Sequence, residues 1–434
     1  MYMEKTKADA APAKERSWVK WEVLLLLWMA YLLNQGDRQV FNTVLPAIRE
    51  ALNLTDTSVG LIATIFNLFY ACCVPFGGWA GDRFSRKWVV TVAIIFWSVA
   101  TMFTGLANGV FLLILMRSVA TGGGEAFFGP ANYSLLGQYH TDTRARAMSI
   151  HQTAYYVGVI LAGWLAGLIA DRFDAINPGN GWKYSFIIFG AAGIVWGILM
   201  IFRLKDKEVT DSAERRKAVQ NPLTAIWQGF RTVFTTPTAL MLTLGFSGLI
   251  FVITGYMTWM PAYLQEELGQ SQAAAGFNSM FWTYLAAFAG VLIAGVLSDR
   301  FASKNRKARM LLQAAGLVLG SVPLFVIGES KTVWILYLCF AGWGFFRAFF
   351  DANTYAVLYD VTPPHLHASC SSAMITTGFA VGAFAPVVLG AMKDSMGSLQ
   401  ATFPVLGVIW VVCGLLMAVV SFTSYQKDYD KMTL

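Results

Sequence analysis

Twelve apolar runs, each long enough to cross a bilayer, dominate this sequence of 434 residues. A spanning helix needs about 20 mostly apolar residues, and a backbone inside hydrocarbon has to satisfy its own hydrogen bonds. The runs therefore predict an all-α integral membrane protein. The predicted spans are residues 19–46, 57–79, 88–107, 110–138, 147–170, 182–203, 238–264, 273–297, 309–328, 332–359, 369–392 and 400–423.

Composition supports the membrane interpretation. The chain is 56% hydrophobic and only 13% charged, whereas soluble domains carry roughly 25% charged residues. The net charge of +7 raises the possibility of a nucleic-acid-binding protein. However, the Lys and Arg residues lie in short segments between apolar runs, without the basic stripe and interleaved aromatics of such proteins. The sequence therefore predicts no nucleic-acid partner and a membrane-lipid environment.

The distribution of Lys and Arg predicts the topology. Of the 32 Lys and Arg residues, 24 fall at the termini or in the segments that share their side, five fall in the opposite loops, and three lie inside spans. Positive residues concentrate on the cytoplasmic side of membrane proteins. Both termini are therefore expected in the cytoplasm, in a multi-pass protein of the plasma membrane, most naturally a bacterial inner membrane.

The two halves of the sequence repeat. The segment 46–84 has a counterpart at 261–301, and Pro130-Ala131-Asn132 aligns with Asp351-Ala352-Asn353, at offsets of about 216 and 221 residues. Such duplication predicts two pseudo-symmetric six-helix bundles, an organisation typical of alternating-access transporters. The predicted divisions are a cytoplasmic tail 1–17, a bundle 18–203, a cytoplasmic linker 204–237, a bundle 238–425 and a tail 426–434.

A short motif follows the second span. Gly78, Asp82 and Arg83 are followed by Arg86 and Lys87, so that a small residue, an acid and several bases meet at one helix end. This pattern resembles the signature loop of the major facilitator superfamily, in which it acts as a latch between helices, and a partial copy recurs near residue 295. The resemblance covers essentially residues 18–425 and implies the latch residues Asp82, Arg83, Arg86, Asp299 and Arg300.

A finer resemblance lies in the first and fourth spans. Asp37-Arg38, with Pro46 ending the first span, is similar to the anion:cation symporter family, and so is the stretch from Arg117 through Glu125 to Pro130. Bacterial relatives of Spinster transporters share the Asp-Arg pair and Gly124-Glu125-Ala126. The first resemblance implies an organic-anion symporter. The second implies a carrier of lysophospholipid or another amphipathic solute.

Charges inside the spans point to a binding site. A charge at bilayer depth costs about 2.5–3.5 kcal/mol even on lenient scales, so Arg38, Arg117 and Arg347 should face a hydrated cavity or a carboxylate. Arg347 and Asp351 are four residues apart and can pair along one helix face. Glu125 lies about 12 Å from Arg117 along the helix axis, which argues against direct contact. The alternative is that these charges form structural ion pairs that fix helix packing.

The superfamily resemblance implies that spans one, four, seven and ten line the central cavity. Arginine suits bidentate recognition of carboxylates, and a neighbouring carboxyl group can carry a proton. Individual Tyr and Trp residues can instead be interfacial anchors. The candidate substrate-binding residues are Arg38, Arg117, Arg347, Tyr31, Asn34, Gln35, Tyr133, Tyr256, Trp259, Asn353 and Tyr355, and the candidate proton-coupling residues are Asp37, Glu125 and Asp351.

These features favour a monomeric secondary transporter that moves a small organic anion, such as a sugar acid or carboxylate, by proton-coupled symport. Sodium coupling stays open at this stage. No nucleotide-binding motif, catalytic constellation or metal-ligand spacing is recognisable, so neither enzymatic activity nor a cofactor is expected. A membrane sensor on the same scaffold would need a signalling segment, for which the short tails and linker offer little room.

Overall fold

The structure of the protein is a computed structural model and describes residues 17–140, 144–205, 222–363 and 366–433. Within these ranges the chain is almost entirely helical. The first half contains α1 Ser17–Ala51, α2 Asp56–Arg83, α3 Arg86–Thr104, α4 Val110–Tyr139, α5 Arg144–Asp174 and α6 Gly181–Arg203.

The second half has the same order of spans. It contains α8 Pro237–Glu266, α9 Gln272–Ala302, α10 Ala308–Glu329, α11 Val333–Asp360, the broken span α12 His367–Gly382 with α13 Ala385–Met396, and α14 Phe403–Thr423. Two further helices are α7 Pro222–Thr235, which precedes α8, and the C-terminal α15 Tyr425–Thr433. In the described ranges, eleven spans are long and apolar enough to cross a membrane.

The helix α1 is the twelfth span, and its polar residues set it apart from the others. Asn34, Gln35 and Asp37 are buried despite their polarity, which indicates protein or cavity surroundings rather than lipid. Twelve spans in two six-helix bundles agree with the predicted architecture. The expectation that Pro46 ends the first span is wrong, because α1 continues to Ala51 with Pro46 inside it. The last turn is held by burial of Ile48 and by ion pairs of Arg49.

The two halves meet tightly at one end of the molecule, called here the closed end, which carries the loops 52–55, 175–180, 267–271 and 397–399. Here α5 packs on α9 with Gly163 facing Gly276. A Cβ atom on Gly163 would lie 2.6 Å from the carbonyl oxygen of Gly276, and a Cβ atom on Gly276 would lie still closer, 2.2 Å, to the carbonyl oxygen of Gly163. Glycine at both positions therefore permits a backbone approach that no other residue allows.

Charged side chains complete the closed end. Lys393 Nζ lies 2.9 Å from Asp56 Oδ1 and 2.5 Å from Glu266 Oε2, and Arg49 lies 2.7 Å from the same Asp56 oxygen. These groups are only partly exposed. Two cations and two carboxylates from both halves therefore form one compact network.

Each half also caps a helix of the other. Asp394, at the end of α13, accepts hydrogen bonds from the backbone N–H groups of Asp56 and Thr57 at 3.1 and 2.8 Å. Asp171, in the last turn of α5, accepts from Ala273 N in the first turn of α9 at 3.1 Å. Both carboxylates satisfy orphan donors at a positive helix N-terminus. The two caps are related by the repeat of the halves.

The opposite end is called here the linker end, since residues 204–237 connect the halves there. The linker segment 206–221 and the tail 1–16 lie outside the described residues. The described part of the linker includes α7, whose Gly229 packs against the backbone of Ser369 in α12. The sequence predicted a cytoplasmic linker here and no helix within it. Tyr133 and Tyr355 are exposed at 37% and 44% on this side of the molecule.

Candidate functional site

A cavity of about 260 Å³ lies between the two halves and is called here the chamber. Its volume lies just below the range of about 300–1,000 Å³ for small-molecule sites. Its walls come from α1, α2, α4 and α5 in the first half and from α8, α11 and α12 in the second. The polar residues that line it are Gln35, Arg38, Asn42, Asn67, Arg117, Tyr155, Thr254, Thr258, Arg347 and Asp351.

Arg38 and Glu125 form an ion pair beside the chamber. Arg38 Nε lies 2.7 Å from Glu125 Oε2, and the Glu125 side chain is inaccessible to solvent. The guanidinium also lies over the ring of Tyr70, with Cζ 4.3 Å from the ring centroid. Gln35, Arg38 and Asn42 reach the chamber together because they recur three and four residues apart on α1. Glu125 Oε1 has no hydrogen-bonding partner among the described residues.

Arg117 is the least satisfied charged group of the site. Its side chain is 4% exposed, and its Nε and Nη1 atoms have no hydrogen-bonding partner in the described structure. Its Nη2 atom donates a long hydrogen bond of 3.4 Å to the carbonyl of Arg38, and its Cζ lies 4.3 Å from the centroid of Phe66. Buried guanidinium donors without acceptors are costly. An acceptor supplied from the chamber would remove that cost.

A local change of helix geometry positions Arg117. Residues Ile114–Ala120 of α4 form a π-helical segment, in which Arg117 is central. Segments of this kind are rare and are frequent at functional sites. The extra residue in the turn shifts the register of Arg117 relative to Glu125. The two side chains do not contact each other directly, in line with the spacing argument, because Glu125 pairs with Arg38 from the neighbouring helix instead.

Asp37 does not line the chamber. Being next to Arg38 on a helix, it points about 100° away around the axis and receives a hydrogen bond of 3.4 Å from Thr101 in α3. It is buried behind the site. Its carboxyl group therefore lies next to the site without lining the chamber.

The second half contributes one ion pair. Arg347 Nε lies 3.1 Å from Asp351 Oδ2, which confirms the predicted pairing along one face of α11. Arg347 also lies over the rings of Tyr284 and Trp343 at 5.6 and 5.8 Å. Its Nη1 atom has no hydrogen-bonding partner among the described residues. The pair is formally neutral, and among the described residues of the second half no other charged side chain lines the chamber.

Several other predicted binding residues lie next to the chamber without lining it. Asn34 accepts a hydrogen bond of 2.8 Å from Gln35, so it positions a lining residue. Tyr31 stacks on His151 at 4.8 Å and packs edge-on against Tyr133. Tyr355 packs against Tyr359 on the linker side. Of these side chains, only Gln35 is among the residues that line the chamber as the structure describes it.

Three predicted binding residues are committed to helix packing. Tyr256 is inaccessible and bonds to Thr283, while its ring stacks on Trp343. Trp259 is also inaccessible and donates to the carbonyl of Pro386 at 3.0 Å. Asn353 hydrogen-bonds Ser298. Sequence placed them on the right spans, but only the helix rotation in the structure shows that they face neighbouring helices.

The predicted latch residues lie at the linker end. The side chains of Asp82 and Arg83 are outside the part of the chain that the structure describes. Arg86 donates from Nε to the carbonyl of Gly81 at 3.3 Å, which joins the start of α3 to the end of α2. In the second copy, Asp299 and Arg300 are exposed. Their latch role therefore stays a prediction.

Several residues that line the chamber were not predicted from the sequence. Asn42 follows Gln35 by seven residues, so the helical period of α1 could have found it. Thr254 and Thr258 lie on one face of α8 and could have been found in the same way. Asn67 on α2 and Tyr155 on α5 could not be predicted as lining residues, because the superfamily resemblance implies a cavity lined by spans one, four, seven and ten only. Tyr155 Oη lies 2.8 Å from Tyr284 Oη, so this lining residue also joins the two halves.

Comparison with known proteins agrees with this architecture. The probable sulfoacetate transporter SauU of Cupriavidus necator is 27% identical over 428 residues, which cover 91% of this chain and 92% of that protein. The hexuronate transporter of Bacillus subtilis is 26% identical over 411 residues, covering 93% of this chain and 94% of that protein. These relatives fit the predicted likeness to anion symporters.

A solved structure extends the comparison to the fold. The inward-facing, occupied form of a bacterial homologue of the human lysosomal transporter Spinster superposes with a TM-score of 0.74 at 21% identity, covering 96% of this chain and 97% of that one. The family model described as Major Facilitator Superfamily matches residues 27–386 and 284–430. Together with the twelve spans and the chamber between twin bundles, this match shows that the chain is a multi-pass membrane transporter, not an enzyme, and belongs to the major facilitator superfamily.

Proposed function

We propose that this protein moves a small organic anion by proton-coupled symport, through rocking of residues 18–203 against 238–425. The observation that carries the proposal is Arg117, a buried guanidinium at the chamber with two donor nitrogens that lack protein partners. A carboxylate or sulfonate would supply two acceptors in the planar arrangement that arginine favours. The relatives named for sulfoacetate and hexuronate support an anionic substrate.

The proton would be exchanged at Glu125. This carboxylate pairs with Arg38, which itself lines the chamber. An anion that binds Arg38 and Arg117 competes with Glu125 for the same guanidinium, and protonation of Glu125 would release Arg38 to the substrate. Asp37, which is buried behind this cluster, would be a second group that can hold the proton. Asp351 would act similarly on Arg347 in the second half.

The orientation follows from the charge distribution. With both termini in the cytoplasm of a bacterial inner membrane, the linker end faces inward and the closed end faces outward. The state described here would then be inward-facing. Substrate would leave past Tyr31, Tyr133 and Tyr355, and the latch residues at the linker end would close this path in the opposite state.

The size of the chamber favours a small solute over a lysophospholipid. A volume of about 260 Å³ suits a compact acid, whereas the acyl chain of a lysophospholipid would need a larger or laterally open site. The likeness to Spinster structures concerns the fold alone. The lipid carrier is therefore the competing outcome of the experiment rather than the proposal.

The test uses purified protein reconstituted into liposomes. Sulfoacetate, glucuronate, gluconate and short carboxylates are screened by thermal stabilisation, since a ligand stabilises the state that it binds. Counterflow of the best acid is then measured. Arg117→Gln should weaken binding roughly ten- to hundredfold, as expected for a lost hydrogen-bonded charge. Arg117→Lys tests whether charge without the planar fork suffices.

The matched control is Arg172→Gln, which removes an exposed arginine in the last turn of α5 at the closed end. It should bind the acid like the unmodified protein. Normal counterflow in Arg117→Gln would contradict the site. Stabilisation by lysophosphatidylcholine but by none of the acids would contradict the substrate class. Uptake driven by a sodium gradient and unaffected by a proton gradient would contradict proton coupling.

A further inference from the structure

Arg117 belongs to a part of α4 whose backbone departs from the regular helix. The π-helical segment Ile114–Ala120 has Arg117 at its centre, and such segments are rare in proteins. A rare backbone geometry persists when neighbouring groups favour it over the α-helix. Two hydroxyl groups do so here, those of Ser118 and Thr121, which are buried and do not line the chamber as the structure describes it.

The hydroxyl group of Thr121 supports the wide turn around Arg117. The backbone N–H of Thr121 donates to the carbonyl of Met116, five residues back, whereas in an α-helix it would donate to the carbonyl of Arg117. The Oγ1 atom of Thr121 donates to the same Met116 oxygen at 2.9 Å. Return to an α-helical turn would rotate Arg117 relative to the residues that follow by the angle of one residue, about 100°.

The hydroxyl group of Ser118 fixes the register between α4 and α2, which run in the same direction. Its Oγ atom donates to the backbone carbonyl of Ile62 at 2.7 Å, inside the protein. Four residues further along each helix, Gly122 faces Phe66, and a Cβ atom on Gly122 would lie 3.0 Å from the Phe66 carbonyl oxygen. Two contacts one helical turn apart on both helices therefore define a single register.

This register brings the ring of Phe66 to the guanidinium of Arg117. The Cζ atom of Arg117 lies 4.3 Å from the centroid of Phe66, and both Ile62 and Phe66 line the chamber. An aromatic face stabilises a cation without using its N–H donors. If α4 moved along or around its axis against α2, Arg117 would lose this ring contact and its donors would change direction. The hydrogen bond of Ser118 therefore bears on the anion site through Arg117.

We propose that Ser118 and Thr121 are positioning residues of the anion site, which hold Arg117 in the orientation that receives the substrate. Neither residue contacts the substrate, and both act through the guanidinium. The inference rests on the proposed anion transport and adds two hydroxyl groups of α4 to its machinery. Loss of either hydroxyl should weaken anion binding, whereas loss of an equivalent hydroxyl elsewhere should affect stability alone.

The first test compares Ser118→Ala with a matched serine of the same half. Ser185 of α6 is the control, because its Oγ atom donates to the carbonyl of Ala166 in α5, also at 2.7 Å and fully buried. Both variants of the purified full-length protein should lower the thermal midpoint to a similar extent. Only Ser118→Ala should weaken the binding of sulfoacetate and glucuronate, measured by calorimetry, by roughly three- to tenfold, the factor that one hydrogen bond is worth.

The second test separates the hydroxyl group of Thr121 from its shape. Thr121→Val keeps the branched side chain and removes the hydroxyl, whereas Thr121→Ser keeps the hydroxyl and should bind the acids normally. The control is Thr104→Val in α3, since Thr104 is equally buried and donates to the carbonyl of Ala100, also at 2.9 Å. Thr121→Val should weaken binding roughly three- to tenfold, and Thr104→Val should leave it unchanged.

A double variant examines whether Ser118 acts through Arg117. Lysine keeps the charge but has a flexible stem and no planar fork to orient. In an Arg117→Lys background, Ser118→Ala should therefore weaken binding by much less than it does in the unmodified protein. An equal loss in the two backgrounds would show that Ser118 affects the chamber without Arg117, and the inference would fail.

The outcomes distinguish this inference from the proposed function. If Arg117→Gln loses binding while Ser118→Ala and Thr121→Val bind like their controls, the anion site stands and the positioning role is wrong. If Arg117→Gln binds normally, or if the unmodified protein binds neither acid, the anion site itself is wrong and this inference falls with it. Should thermal unfolding show that Ser118→Ala does not fold, the Thr121 variants decide the question.

Discussion

At the scale of single residues, the site is defined by how each guanidinium is satisfied. Arg38 is paired with Glu125 and Arg347 with Asp351, while Arg117 has aromatic contacts with Phe66 and Phe41 but no carboxylate in contact. Aromatic faces stabilise a cation without using its hydrogen-bond donors. Arg117 can therefore remain buried and still present free donors to an anion.

Glu125→Gln separates proton coupling from substrate binding. Glutamine keeps the shape and one acceptor for Arg38 but cannot ionise, so it imitates the protonated state. We expect counterflow, which requires no net proton movement, to continue within a few-fold of the normal rate. Uptake driven by a proton gradient should be lost.

Glu329→Gln, at an exposed helix end, is the control for this substitution and should retain driven uptake. Both activities are measured with labelled acid in liposomes of defined internal pH. Retention of proton-driven accumulation in Glu125→Gln would assign the coupling to another group, with Asp37 the first alternative to examine.

At the scale of helices, sequence predicted the spans but not their rotations. Apolar length located all twelve, because bilayer thickness dictates it. The six charges inside the spans could be found because a charge in hydrocarbon is conspicuous, but only four of them, Arg38, Arg117, Arg347 and Asp351, line the chamber. Tyr256 and Trp259 were misjudged as candidates for the cavity wall, because an aromatic residue suits either a wall or a helix interface. The π-helical segment at Arg117 has no composition signal, so its register required coordinates.

Two tyrosine hydroxyls join α5 to α9 beside the chamber. Tyr155 and Tyr284 are 2.8 Å apart, and Tyr284 lies under Arg347. A single hydrogen bond contributes about 1 kcal/mol. We expect Tyr155→Phe and Tyr284→Phe each to lower the thermal midpoint, and the double variant to lower it by little more than either one, because both singles remove the same bond.

The matched control for these variants is Tyr156→Phe. Tyr156 is a neighbouring tyrosine whose ring contacts the rings of Tyr155 and Tyr284. This variant should be additive with Tyr284→Phe in the same thermal measurement. Additive losses in Tyr155→Phe and Tyr284→Phe would show that the two hydroxyls act independently in the membrane protein.

At the scale of the whole molecule, the closed end is stabilised by side chains of each half that bond to the other half. Asp394 caps α2 and Asp171 caps α9, while Lys393 and Arg49 share the carboxylates of Asp56 and Glu266. The glycine contact between α5 and α9 brings the backbones close enough for the second cap. Opening of this end has to break both caps together with the charge network.

Removal of the caps should favour opening of the closed end. Loss of a cap costs about 0.5–2 kcal/mol, so Asp394→Ala and Asp171→Ala should each raise amide hydrogen exchange several-fold in the first turns of α2 and α9. The double variant should combine the two effects, since the sites are independent. Asp174→Ala, in the same last turn of α5 as Asp171, is the control for the α9 cap because its carboxylate bonds within its own half.

Hydrogen exchange measured by mass spectrometry on the protein in lipid nanodiscs resolves these turns. Unchanged exchange at Thr57 and Ala273 in the double variant would show that packing alone holds the closed end together. The carboxylates of Asp394 and Asp171 would then contribute nothing to its stability.

The unpartnered donor nitrogens of Arg117 affect how the transporter behaves when no substrate is bound. To reorient, an unloaded molecule has to enclose two donor nitrogens of Arg117, Nε and Nη1, without acceptors, at a cost of about 1–3 kcal/mol for each nitrogen. That penalty would slow reorientation of the empty transporter by one or more orders of magnitude relative to reorientation with substrate bound. Under the proposed symport, the side chain that recognises the solute would thereby slow the return of the empty transporter, so that exchange of solute for solute would be faster than net uptake.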